Sequence, residues 1–157
     1  MFGRLILGTL LCLGVIAPTS IRAQDMRSSA TQLEFVHAEG QFAIPVPLSP
    51  AVRAGNLIFV SGIPAYDKNG KLAVNDFPAQ MKQVMESITG ILKAAGVGWN
   101  RVVKVNVYIT RREDFKEMNR IYASYFPDGK FPARTTAVTP LPNPDFMLEI
   151  DCVAVRE

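Results

Sequence analysis

Two short stretches near the C-terminus carry side chains that could do chemistry together. FPARTTAV (131–138) sets one arginine, Arg134, among a proline and small residues. LEIDCVAV (148–155) sets a carboxylate, Glu149, between Leu148 and Ile150. Side chains alternate along a strand, so Arg134, Thr136 and Val138 point one way and Ala133, Thr135 and Ala137 the other. Small neighbours keep the guanidinium accessible, and its planar fork suits a carboxylate held by two charge-assisted hydrogen bonds. On the second strand Leu148, Ile150, Cys152 and Ala154 form an apolar face, and Glu149 shares the other with Asp151, Val153 and Val155. A carboxylate between two large aliphatic residues is costly unless it is paired or serves a site. If the two strands pair, or meet across an interface, one cavity holds a cation and a general base. The same residue types also fit a plain ion pair in which Glu149 neutralises Arg134. Both readings stay open on the residues alone.

The other candidates are weaker. His37 is the sole histidine, which argues against a His-pair nuclease and against a metal cluster. Cys152 falls on the apolar face of its strand without a nearby base, as a buried structural thiol does. Ser61, in FVSG, lacks the flanking pattern of a nucleophile elbow. Gly62 ends a strand and can offer its backbone N–H to a ligand. Asn119 shares a helical side with Phe115 and Tyr122, where it either caps a loop or reaches the site.

The elements that must position these residues follow from hydrophobic period. AVRAGNLIFVSG (51–62) predicts two strands around a turn at Ala54-Gly55-Asn56, with Gly55 and Asn56 supplying positive φ. FAIPVPLSP (42–50) predicts an extended surface segment, and YDKNGK (66–71) a turn. From Pro78 the spacing of Met81, Val84, Met85, Ile88, Leu92 and Ala95 predicts a helix, capped by Asp76 and closed by Gly96. VVKVNVYIT (102–110) predicts a half-buried strand with Val103, Val105, Val107 and Ile109 inward. DFKEMNRIYASYF (114–126) predicts a second helix on a face of Phe115, Met118, Tyr122 and Tyr125. Two strands, 134–138 and 148–155, close the chain, and residues 24–33 are expected as a loose lead-in. The order predicts an α+β fold with one mixed sheet covered on one face by two helices. The other sheet face, expected to bear Tyr108, Val138, Val153 and Val155, is too apolar to leave wet and predicts self-association.

The first 23 residues have a basic start (Arg4), an apolar run from Leu5 to Ala17 and a plausible cleavage residue at Ala23. That is the layout of a secretory signal peptide, too short in its apolar run to span a bilayer comfortably. The expectation is an exported protein, periplasmic or secreted and off the membrane after cleavage, with one domain over residues 24–157. Cleavage removes Cys12, so Cys152 stands alone and a disulfide scaffold is excluded. It also removes Arg4 and Arg22, which lowers the net charge from +3 to about +1 and leaves no nucleic-acid footprint.

SPAVRAGNLIFVSGIP, AQMKQVMESITGILKAAG, VVKVNVYIT, DFKEMNRIYASYF, FPARTT and LEIDCVAV occur in that order. Together they resemble the RidA (YjgF-type) family of reactive-intermediate deaminases. The resemblance implies a chorismate-mutase-like fold assembled as a homotrimer with clefts between subunits. It implies that Arg134 grips a substrate carboxylate and that Glu149 positions the attacking water. Ser61 and Gly62 would contact the ligand through their backbone, with Asn119 and Thr136 in the same cleft. The substrate implied is a 2-imino acid or its enamine tautomer, hydrolysed to a 2-oxo acid and ammonia without metal or organic cofactor. The family includes members without this chemistry, so a non-catalytic trimer binding small carboxylates or client proteins is the alternative. Three departures from the family pattern bear on the pocket. Ile63 follows the Ser-Gly where Gln is frequent, Ala51 replaces an aromatic that closes the pocket in some members, and Thr136 stands where many members have Cys or another small residue.

Overall fold

The apolar stripe that begins near Pro78 becomes α1 (Phe77–Ala94), with Met81, Val84, Met85, Ile88 and Leu92 buried in the computed structural model, which describes residues 31–157. Asp76 caps the helix, its carboxylate accepting the Ala79 N–H at 3.0 Å. Gly96 ends it at φ +79°, with the Gly96 and Val97 amides donating to the Lys93 and Leu92 carbonyls, a Schellman closure.

Six strands form one sheet: β1 (Leu33–Val36), β2 (Ala51–Ala54), β3 (Leu57–Ile63), β4 (Val102–Ile109), β5 (Ala133–Val138) and β6 (Leu148–Val155). Their spatial order is β1-β2-β3-β6-β4-β5. β4 and β5 run parallel, joined by the crossover helix α2 (Phe115–Ala123), and every other pair is antiparallel. Both helices cover one sheet face. The core lies between them and the inward residues of the central strands, among them Ile58, Val60, Val105, Val107, Ile150 and Cys152. The expected α+β architecture is therefore found, and residues Thr31–Glu157 form one compact unit. Among the described residues no helix is long and apolar enough to cross a membrane. The N-terminal leader expected over residues 1–23 lies outside the described residues.

Local expectations differ from the structure in five places. The lead-in ends in a strand: β1 pairs with β2 from Leu33↔Ala54 to Val36↔Ala51. Three of its four side chains are exposed, so an alternation signal never developed. In the β2–β3 turn Gly55 alone has positive φ (+62°), which makes the two-residue loop a type II′ rather than a type I′ turn. Val103 is exposed because a register shift between Val102 and Lys104 turns it outward. On α2 the buried side chains are Met118, Ile121 and Tyr122, while Phe115 is exposed, so the inward stripe is rotated from the expected one. Val138 is level with Ile109 and so belongs to the helix-bearing side, not to the open face.

Candidate functional site

β5 is a sheet edge, and the parallel register sets Arg134 level with the buried Val105. Its side chain therefore rises on the helix-bearing side, where α2 receives it. Nη2 donates to Asn119 Oδ1 at 2.7 Å, and Nη1 makes a weak contact to Met118 Sδ at 3.8 Å. The guanidinium carbon sits 4.8 Å from the centroid of the Tyr122 ring. Asn119, Tyr122, Ala123, Phe131, Pro132 and Arg134 line an open cavity of about 410 Å³. Among the described residues Arg134 forms no ion pair. Thr136 follows two residues along the same side, its hydroxyl buried without a hydrogen-bond partner among the described residues.

Glu149 belongs to the other side. β6 runs between β3 and β4, and its register sets Glu149 level with Tyr108, one of the side chains alternate to the buried Val107 and Ile109. On β3, Val60 pairs with Cys152 and Ile63 with Ile150, so Ser61 and Gly62 together oppose the single Asp151. This bulge brings Gly62 under the glutamate: a Cβ on Gly62 would stand 3.7 Å from Glu149 Oε2. Burial, and then the charge of Asp151, raises the Glu149 carboxyl above the ordinary carboxylate range. Asp151 accepts a hydrogen bond from Asn106 Nδ2 at 2.8 Å, and its charge is the main cause that raises the Tyr108 phenol.

The candidate residues thus fall into two groups on opposite faces. Arg134 and Asn119 meet on the helix-bearing side, where Thr136 also points, while Gly62 and Glu149 meet on the open face. β5 and β6 do not pair, because β4 lies between them. Of the two arrangements left open, direct pairing of these strands is therefore not found, and neither is an ion pair between Arg134 and Glu149 within one chain. Ser61 is also less available than expected. Its N–H donates to the Pro50 carbonyl at 3.0 Å and its hydroxyl to the Ser49 carbonyl at 2.6 Å, so it ties down the preceding segment.

Ala51 is fully buried opposite Val60, so it lines neither group. Ile63 is a core residue that borders a separate cavity of about 240 Å³ with His37, Gln41, Leu48 and Tyr66. Cys152 is buried, and its thiol is pushed up to about 12 by burial and then by the charge of Asp151, which leaves it inert. Among the described residues no group of three or more His, Cys, Asp and Glu stands together to hold a metal. Sequence reasoning counted Tyr122 only as part of an apolar face and gave Asn106 and Asp151 no role. The one-turn spacing from Asn119 to Tyr122 was the available signal.

Residues 39–156 match the family model described as Endoribonuclease L-PSP. A RutC family protein of Pyrococcus horikoshii is 43% identical over 113 residues, covering 71% of this chain and 88% of that one. The chloroplastic Reactive Intermediate Deaminase A of Arabidopsis thaliana is 37% identical over 134 residues, covering 83% of this chain and 70% of that one. The crystal structure of the YjgF gene product of E. coli superposes with a TM-score of 0.73 at 30% identity, over 79% of this chain and 99% of that one.

Proposed function

The chain belongs to the family that the Endoribonuclease L-PSP model describes, and from that membership we propose that it hydrolyses 2-imino acids, or their 2-aminoacrylate-like enamine tautomers, to 2-oxo acids and ammonia. A relative named as a reactive intermediate deaminase supports this reading. The observation that carries it is the division of the site. A guanidinium without an acidic partner among the described residues and a carboxylate with raised proton affinity stand on opposite faces of one sheet. Closing one site from both then takes two copies of the chain, the Arg134 side of one against the Glu149 side of the next. A homotrimer supplies such an arrangement by cyclic repetition.

In the reaction, an enamine substrate first tautomerises to the imine, taking a proton at its terminal carbon and giving one up from nitrogen. Arg134 holds the carboxylate, which fixes the imine carbon relative to the glutamate. Glu149 takes a proton from water as the oxygen adds to that carbon, and the proton passes to nitrogen. The carbinolamine collapses as its hydroxyl proton passes to nitrogen, the C–N bond breaking to release ammonia and the hydroxyl oxygen becoming the C=O of the 2-oxo acid. Every atom comes from the substrate and one water.

The test is to generate 2-iminopropionate and longer imino acids with an amino-acid oxidase and follow their disappearance. Hydrolysis accelerated by the protein and lost on the order of a hundredfold in Glu149→Gln and Arg134→Ala is the expected result. No acceleration over several imino acids, with small carboxylates still bound, would move the assignment to the non-catalytic trimer. A ribonuclease is disfavoured by the near-neutral charge of residues 24–157 and by the position of His37, which borders the other cavity. Export belongs to the same proposal: the N-terminal 23 residues direct the chain out of the cytoplasm, and fractionation of tagged protein would find it there if they do not.

A further inference from the structure

Arg134 has a guanidinium that α2 holds from several directions, yet no acid does so among the described residues. Asn119 Oδ1 takes Nη2, Met118 Sδ faces Nη1, and the Tyr122 ring lies 4.8 Å from the guanidinium carbon. Tyr122 is only 3% exposed and is fixed in turn by Phe126 at 4.9 Å and by Phe131, stacked at 6.4 Å with an interplanar angle of 23°. The choice of partners matters. A carboxylate beside Arg134 would offset its desolvation but also neutralise it, and would compete with any anionic ligand. An aromatic face offers negative quadrupole and an amide offers one lone pair, so the guanidinium is held while its net positive charge survives.

We infer that Tyr122 is the positioning residue of the carboxylate receptor, its ring face fixing the plane of Arg134 and setting its affinity for the substrate carboxylate without touching the substrate. This rests on the reading of Arg134 as that receptor. The role belongs to the ring and not to the hydroxyl, which is buried without a hydrogen-bond partner among the described residues. Burial pushes that hydroxyl up to about 12, against the pull of Arg134, so it stays protonated and does not become a competing anion. A carboxylate gripped equally in ground and transition states contributes to KM rather than to kcat.

The experiment keeps the shape of the ring and changes its charge. Tyr122 is replaced by phenylalanine and then by mono-, di- and trifluorinated phenylalanines, which progressively drain the ring face. For each protein, KM and kcat for 2-iminopropionate are measured together with the Kd of pyruvate, a 2-oxo acid that needs no turnover to bind. Tyr122→Phe is expected within about twofold of the wild type. Across the fluorinated series KM and the pyruvate Kd rise in step, on the order of tenfold in all, with kcat within about twofold. A purely structural ring would lower thermal stability and leave both constants flat, which overturns the inference. Pyruvate binding that tracks fluorination in a protein without turnover supports it while sinking the deaminase reading. Absence of both binding and turnover in the wild type overturns it together with the receptor.

Discussion

Glu149 has the right chemistry for a base and an environment that strengthens it. Burial, and then the Asp151 charge, raises its carboxyl above the usual value of about 4.3. In the proposed reaction it is the ionised form that takes the proton, so kcat/KM should fall as pH drops through that raised value, and pH–rate profiles would place this acid limb above the ordinary carboxylate range. Asp151→Asn keeps the shape and removes the second cause, so the limb should move to lower pH, leaving the share due to burial. A limb that stays in place would show that Asp151 has no part in it. For stability the sign is opposite. A carboxyl whose proton affinity is higher in the folded state favours folding while protonated, below its unfolded value, and that contribution is lost as pH rises through the folded value. Glu149→Gln should therefore cut turnover on the order of a hundredfold without loss of stability at neutral pH, as urea unfolding would show. As candidates, Arg134 and Glu149 were legible in the sequence because each is out of keeping with its strand: a cation among small residues, a carboxylate between aliphatics. Tyr122 was not, because an aromatic at helical spacing reads as core and its charge partner is distant in sequence.

At the level of elements, legibility followed the strength of local signals. Both ends of α1 were readable because its cap and its closing glycine satisfy the helix's own unpaired groups. The fourth-strand stripe misplaced Val103, since a bulge is set by register with β6 and not by the strand itself. Gln80 was missed for the same reason. It is fully buried, accepts the Met147 N–H and donates to the Ala73 and Asp145 carbonyls, each at 2.9 Å, and so ties α1 to the approach to β6. Gln80→Leu leaves those backbone groups without partners and should cost on the order of 3 kcal/mol or more. A loss below about 1 kcal/mol by urea unfolding would mean that water replaces the amide. The β3 bulge makes a separate prediction. Gly62→Ala sets its Cβ in ordinary contact, 3.7 Å from Glu149 Oε2, so the fold should tolerate it. Turnover should nonetheless fall, because the methyl occupies space beside the base; unchanged kcat/KM would show that no reacting group passes there.

For the molecule as a whole, the order of strands decides what one chain can do. Nothing local in FPARTTAV or LEIDCVAV says that β4 comes between them, since strand order depends on contacts distant in sequence. That insertion and the face alternation separate Arg134 from Glu149, and they make a mixing experiment decisive. Arg134→Ala and Glu149→Gln chains, each inactive alone, should recover about a quarter of wild-type activity when unfolded and reassembled together, because a quarter of interfaces pair two intact sides. No recovery would place the whole site within one chain. The division also has a consequence in time. On the proposed shared site, a chain that has folded but met no copy of itself would be an unfinished catalyst, silent at high dilution. Its specific activity would climb with concentration and then level off, so that local abundance, and not folding, decides when the chemistry begins.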